Sequence, residues 1–172
     1  QKFFQFFAIV NFNNFHNSRY YKVKFLKSKI SKKDMFKDIK INIEGKEVQV
    51  KAMVDTGNML KEPISGKPVI VVEHTLLYDI LPKEILNNLE KILGGDIESL
   101  PDEIKNKYIS KLKFIPFSSL GKQNGMLIGI KPTYVEVMQE ENTKKEDVII
   151  GIYNKSFTKN GEYRALIGID LI

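Results

Sequence analysis

From Asp38 onward the chain alternates. Ile39, Ile41 and Ile43 are separated by Lys40 and Asn42, Glu44-Gly45 interrupts, and Val48, Val50 and Ala52 resume the same period of two. Alternation of this kind marks strands with one buried face. Glu44-Gly45 between two such runs reads as a hairpin turn, so a hairpin is expected over residues 38–50. Its return strand runs on through Met53 into Val54-Asp55-Thr56-Gly57-Asn58. Pro63, Ser65-Gly66 and Pro68 then mark a loop, and Val69-Ile70-Val71-Val72 is a short, wholly apolar strand.

Residues 75–109 break the β pattern. Pro82 opens a helix in which Ile85, Leu86, Leu89, Ile92 and Leu93 recur at helical spacing, with Gly94-Gly95 ending it. Pro101-Asp102-Glu103 starts a second, short helix. The segment reads as a helical insertion on a β scaffold, its leucines serving packing rather than a partner groove. Strands return at Leu112 to Pro116, Gly125 to Ile130, Tyr134 to Met138, Val148 to Tyr153 and Tyr163 to Leu166. Gln139 to Asp147 is expected to be a charged loop. Pro116 to Lys122 is expected to be turn-rich, with no catalytic geometry of its own. The predicted fold is mainly β.

Composition narrows the chemistry. There is no cysteine, which excludes disulfides, thiolate catalysis and Cys-ligated zinc. His16 and His74 are the only imidazoles, and neither stands in a recognisable spacing with Asp or Glu. No glycine-rich phosphate loop, dinucleotide fingerprint or serine-nucleophile elbow occurs. A triad of Ser118 or Ser119 with His74 has no motif behind it. The chemistry open to this chain is carboxylate chemistry.

Charge is local. Arg19 to Lys40 holds nine basic residues against Asp34 and Asp38, a net of +7 in a chain of net +6, so the rest is close to neutral. The belt is almost all lysine, with Arg19 and Arg164 the only arginines, which argues against a base-reading nucleic-acid domain. It follows an apolar stretch, Gln1 to Val10, that is shorter than the ~20 residues needed to span a bilayer. A lysine belt after an apolar segment suits a membrane-proximal position facing anionic lipid, with a plain solvated linker as the alternative. The opening on Gln1 rather than Met is expected of a fragment or a processed product.

Against that background Asp55-Thr56-Gly57 stands out. A strand delivers a carboxylate, a hydroxyl and a glycine at the point where it must turn. Asp55 can polarise a water, Thr56 can hydrogen-bond to fix the loop, and Gly57 permits close backbone approach. The competing reading is a polar turn in a β domain that docks a partner or dimerises without catalysis.

Asp55-Thr56-Gly57 after a hairpin, with Leu166-Ile167-Gly168-Ile169-Asp170-Leu171 near the chain end, resembles the retropepsin-like aspartic peptidases. The resemblance implies an acid-protease half-barrel in which Leu166, Ile167 and Gly168 form the strand beneath the catalytic loop. Leu127-Ile128-Gly129 and Ile149-Ile150-Gly151 share the apolar-apolar-Gly pattern, and chain order selects Leu166 to Gly168. Tyr20 to Val23, Val54 to Asn58, Ile115 to Gly121 and Gly161 to Leu166 are similar to the sporulation sigma-E factor-processing peptidases of endospore-forming bacteria. That likeness runs over residues 20–172, and Asn58 favours this branch over the viral one. It implies a missing membrane domain before a basic segment at 1–36, and a peptidase domain at 37–172 facing the mother-cell cytoplasm. It also implies a sigma factor precursor as substrate and an activating signalling protein from the forespore. It implies no cofactor, metal or nucleic acid. No glycine-rich flap motif is present, so the resemblance names no flap residues. With one Asp-Thr-Gly per chain, a carboxylate pair requires a homodimer with Asp55 from each protomer.

Overall fold

The computed structural model describes residues 35–119, 122–139 and 141–172. The apolar opening, the body of the lysine belt and Tyr20 to Val23 lie outside the described residues. Among the described residues no helix is long and apolar enough to cross a membrane.

The fold is mainly β. Strand β1 (Phe36–Ile43) and strand β2 (Lys46–Asp55) form the expected hairpin, with Ile43 opposite Lys46. Glu44 and Gly45 both have positive φ, 51° and 85°, the backbone of a two-residue turn whose twist matches its strands. The Gly45 N–H donates to Asn42 Oδ1 at 3.2 Å, closing the turn from the side.

Seven further strands follow: β3 (Val69–Glu73), β4 (Leu112–Ser119), β5 (Lys122–Ile130), β6 (Tyr134–Met138), β7 (Thr143–Lys145), β8 (Ile149–Tyr153) and β9 (Ala165–Gly168). They join one sheet in the order β4-β5-β8-β3-β9-β2-β1-β6-β7. β2 runs parallel to β9 and β3 parallel to β8, while the other neighbours are antiparallel. The central strands β3, β8 and β9 are buried almost throughout, as their apolar runs require, with Glu73 at the end of β3 the charged exception.

Period-two alternation divides the side chains between two cores. Ala52, Val54, Ile70, Val72, Ile150, Ile152, Ala165 and Ile167 face the larger one, which the helices cover. Val69, Val71, Ile149 and Leu166 face the smaller one with Ile115, Leu127 and Tyr163. Met53 packs against this second core. Asp55, two residues further along β2, falls on the same face.

Three expectations change. The helix expected from Pro82 to Leu93 is two short ones, α1 (Lys83–Leu86) and α2 (Leu89–Leu93). Asn87 and Asn88 break it: the Asn88 amide donates to the Glu84 carbonyl at 2.8 Å, and Asn87 accepts from the Tyr78 hydroxyl at 2.6 Å. A third helix, α3, spans Asp102–Tyr108. The expected charged loop after Met138 contains β7, which pairs with β6 at the sheet edge. β4 runs through Pro116 to Ser119, because β4 is the outer strand and a proline there forfeits no ladder bond on its open side.

Candidate active site

β2 and β9 carry Asp55 and Gly168 to opposite positions in a parallel pair. Past Asp55 the chain turns sharply. The Asn58 N–H donates to the Asp55 carbonyl at 3.0 Å, and the Gly57 N–H donates to Asp55 Oδ1 at 2.8 Å. The second bond holds one carboxylate oxygen against the loop's own backbone.

The loop folds back over Gly168. A Cβ built on Gly168 would lie 2.8 Å from the Asn58 carbonyl oxygen and 2.6 Å from Asp170 Oδ1. Gly168 has an ordinary φ of −70°, so space and not conformation demands glycine here. Leu166 and Ile167 precede it in β9, one facing each core. The two other apolar-apolar-Gly segments lie elsewhere, Gly129 of β5 opposite Gly151 of β8.

Asn58 is buried and bonded on both ends of its amide. Oδ1 accepts from the Leu60 N–H at 3.1 Å, and Nδ2 donates to the Val69 carbonyl at 3.4 Å. It therefore ties the Asp55 loop to the start of β3. Thr56 is half-buried, and its hydroxyl makes no hydrogen bond among the described residues.

Asp55 lines a solvent-open cleft, of which about 30 Å³ is enclosed, with Asn58, Leu60, Val71, Phe117, Ser118, Leu127, Tyr153, Phe157 and Leu166 around it. Tyr153 and Phe157 of this lining begin an aromatic column. Tyr153 stacks on Phe157 at 4.9 Å between centroids, Phe157 on Tyr163 at 5.9 Å, and Tyr163 meets Phe36 at 6.0 Å. Burial, and then the Asp55 carboxylate, push the Tyr163 phenol above its usual value, as expected of a site poor in water. An apolar cleft with a carboxylate at its base suits an extended chain offering apolar side chains.

Phe117 and Ser118 line the Asp55 cleft, although the sequence marks Pro116 to Lys122 only as a turn-rich passage. Phe157 was missed as well, since a lone aromatic in a loop carries no periodic signal. Ser118 lines the Asp55 cleft, whereas His74 lies in the turn after β3 with its ring 5.9 Å from Tyr78. No described contact joins them as a triad. Among the described residues no group of three or more His, Asp or Glu side chains is placed to hold a metal.

The family model described as "Sporulation factor SpoIIGA", Peptidase_U4, matches residues 6–171. The chain belongs to this family. A sporulation sigma-E factor-processing peptidase of Priestia megaterium is 27% identical over 142 residues, which are 81% of this chain and 45% of the relative. The sporulation sigma-E factor-processing peptidase of Bacillus subtilis is 27% identical over 133 residues, 75% of this chain and 42% of its own length. A putative sporulation sigma factor-processing peptidase of Bacillus thuringiensis subsp. kurstaki is 27% identical over 135 residues, covering 78% and 82%. The chain thus spans less than half the length of the Priestia megaterium and Bacillus subtilis relatives. No solved structure matches it significantly.

Proposed function

We propose that the chain is the peptidase domain of an aspartic endopeptidase that removes the pro-segment from a sporulation sigma factor precursor, with Asp55 as its catalytic carboxylate. The observation that carries this is the seating of Asp55. It ends β2 at the base of an apolar cleft, in a turn closed by its own loop and packed over Gly168. The family membership and the names of the relatives supply the substrate class.

One Asp55 is half of the required machinery. Two carboxylates sharing a proton divide the roles of base and acid, and a second protomer is the source of the second one. Asp55 of each chain would face its mate across a two-fold axis. The pair draws a proton from water as it attacks the scissile carbonyl, and returns a proton to the leaving amine. The open Thr56 hydroxyl suits a hydrogen bond to the mate's loop. Phe117 and Ser118, on the β4–β5 hairpin that borders the cleft, supply its covering wall. The retropepsin-like half-barrel belongs to the same proposal, as do attachment to a membrane domain, orientation toward the mother-cell cytoplasm and activation by a forespore protein.

The test is co-expression of the full-length protein with a sigma factor precursor, with and without Asp55→Ala. Loss of processing by a folded Asp55→Ala variant supports the reading. Continued processing, in cells lacking any wild-type copy, would refute it.

A further inference from the structure

The cleft is bordered by the segment 154–164 through Phe157, which stacks between Tyr153 and Tyr163. A buried charge holds the backbone of this segment as well. Glu73, at the end of β3, is 3% exposed. Its Oε1 accepts from the Phe157 backbone N–H at 2.7 Å, and its Oε2 accepts from Arg164 Nε at 2.9 Å. The Arg164 guanidinium also donates to the Thr75 hydroxyl. A backbone bond repeats the link, from the Glu73 N–H to the Arg164 carbonyl, and the Arg164 N–H donates to the Lys51 carbonyl of β2. One carboxylate thus fixes both the middle and the end of the loop. The loop's start is tied separately, by the Asn154 amide donating to Glu90 of α2 at 2.6 Å.

We propose that Glu73 and Arg164 are positioning residues that set the substrate selectivity of the Asp55 cleft by holding Phe157 in its wall. The inference rests on the peptidase reading for the nature of the ligand, an extended peptide with a large apolar side chain. Phe157 touches that side chain, while Glu73 and Arg164 act through Phe157's backbone. A carboxylate is required because it alone accepts two bonds from these donors while balancing the half-buried Arg164 guanidinium. A pair serving stability alone would be replaceable by well-packed apolar groups, which often match or exceed a buried ion pair. Holding the Phe157 amide is not replaceable in that way.

The experiment separates the two roles. An Asp55→Asn chain binds without cleaving, and its affinity is measured calorimetrically for peptides carrying Ala, Leu or Phe at one scanned position. Leu and Phe are expected to bind about tenfold or more better than Ala at the position seated in the cleft. In the same background, Glu73→Met with Arg164→Met keeps the melting temperature yet reduces this preference to about twofold or less. Phe157→Ala, which leaves the ion pair in place, gives the same loss. Preference retained in a folded double variant, or in Phe157→Ala, overturns the proposal, as does failure of the parent chain to discriminate among the peptides. Should the double variant not fold, Phe157→Ala and the hydrogen-exchange protection of the Phe157 amide in Glu73→Gln decide the matter. An unprotected amide with unchanged preference again overturns it. Asp55-independent cleavage would sink the peptidase reading instead and leave the selectivity result intact.

Discussion

Gly168 stands opposite Asp55 across parallel strands, and the Asn58 carbonyl fills the space that a Gly168 side chain would need. Gly168→Ala should therefore push the Asp55 loop outward. The oxygen it meets belongs to backbone whose residue is buried, so a rotamer change cannot relieve it. We expect a stability loss of about 1–3 kcal/mol and an activity loss of about tenfold or more. Gly151→Ala, whose new Cβ would meet the Val69 side chain at 2.9 Å, is the control. It should cost stability and leave activity per folded molecule near normal. Equal activity losses in the two variants would dissolve the link between Gly168 and the site.

Asn58→Leu removes the acceptor for the Leu60 N–H and the donor to the Val69 carbonyl. The stranded backbone groups should cost about 1–3 kcal/mol, visible as a lower urea midpoint. Asn58→Asp keeps the acceptor only and should fall between. A Leu variant as stable as the parent would show that the loop does not depend on this side chain.

Thr56→Ser is expected to retain processing, because the hydroxyl is kept. Thr56→Val keeps the shape and, in the proposed two-fold dimer, would leave the mate's hydrogen-bonding group unanswered, at about 1–3 kcal/mol of dimer stability. Sedimentation equilibrium and processing assays should rank Ser above Val. Indistinguishable variants would reduce Thr56 to a space-filler.

Two copies of residues 36–172 joined in tandem should process substrate better than the single domain, since a linker raises local concentration to about the mM range. Asp55→Ala in either half alone should abolish that activity. Full activity with one altered half would mean that the carboxylates are not shared.

At the hairpin turn, the Lys111 and Lys107 ammonium groups hold the Glu44 carboxylate down from 4.5 to about 2. The contacts are 2.6 Å and 2.9 Å. The folded chain thus binds this proton less readily than the unfolded one. The stabilisation is complete above about pH 4.5 and disappears as pH falls through about 2. Glu44 is 40% exposed, so solvent screening keeps the effect under about 1 kcal/mol. Melting temperatures of Glu44→Gln and the parent should converge at low pH and separate above it. A constant difference across that range would deny the linkage.

Much of the scaffold was legible. Ile39, Ile41 and Ile43 against Val48, Val50 and Ala52 announce the hairpin, because alternation is a local signal that tertiary context rarely reverses. The sharp turn after Asp55 was legible from Gly57. Pro116 misled, since proline signals a turn unless the strand lies at a sheet edge, and edge position is not written locally. Asn87-Asn88 broke a helix that its leucine spacing supported. Glu73 and Arg164 are 91 residues apart, so nothing in the sequence around either one names the other.

The sheet order has a consequence for how the molecule is made. β9 lies between β3 and β2, at the centre of the sheet, yet it is the last strand in the chain. A ribosome-bound chain without residues 165–168 would have its Asp55 turn already synthesised and tied to β3, but without the Gly168 strand that the turn folds over. Long-range pairing of this kind closes late, after the local hairpins. Maturation of the Asp55 loop is thereby coupled to synthesis of residues 165–168, and a chain broken off before them carries the carboxylate without the strand that Gly168 belongs to.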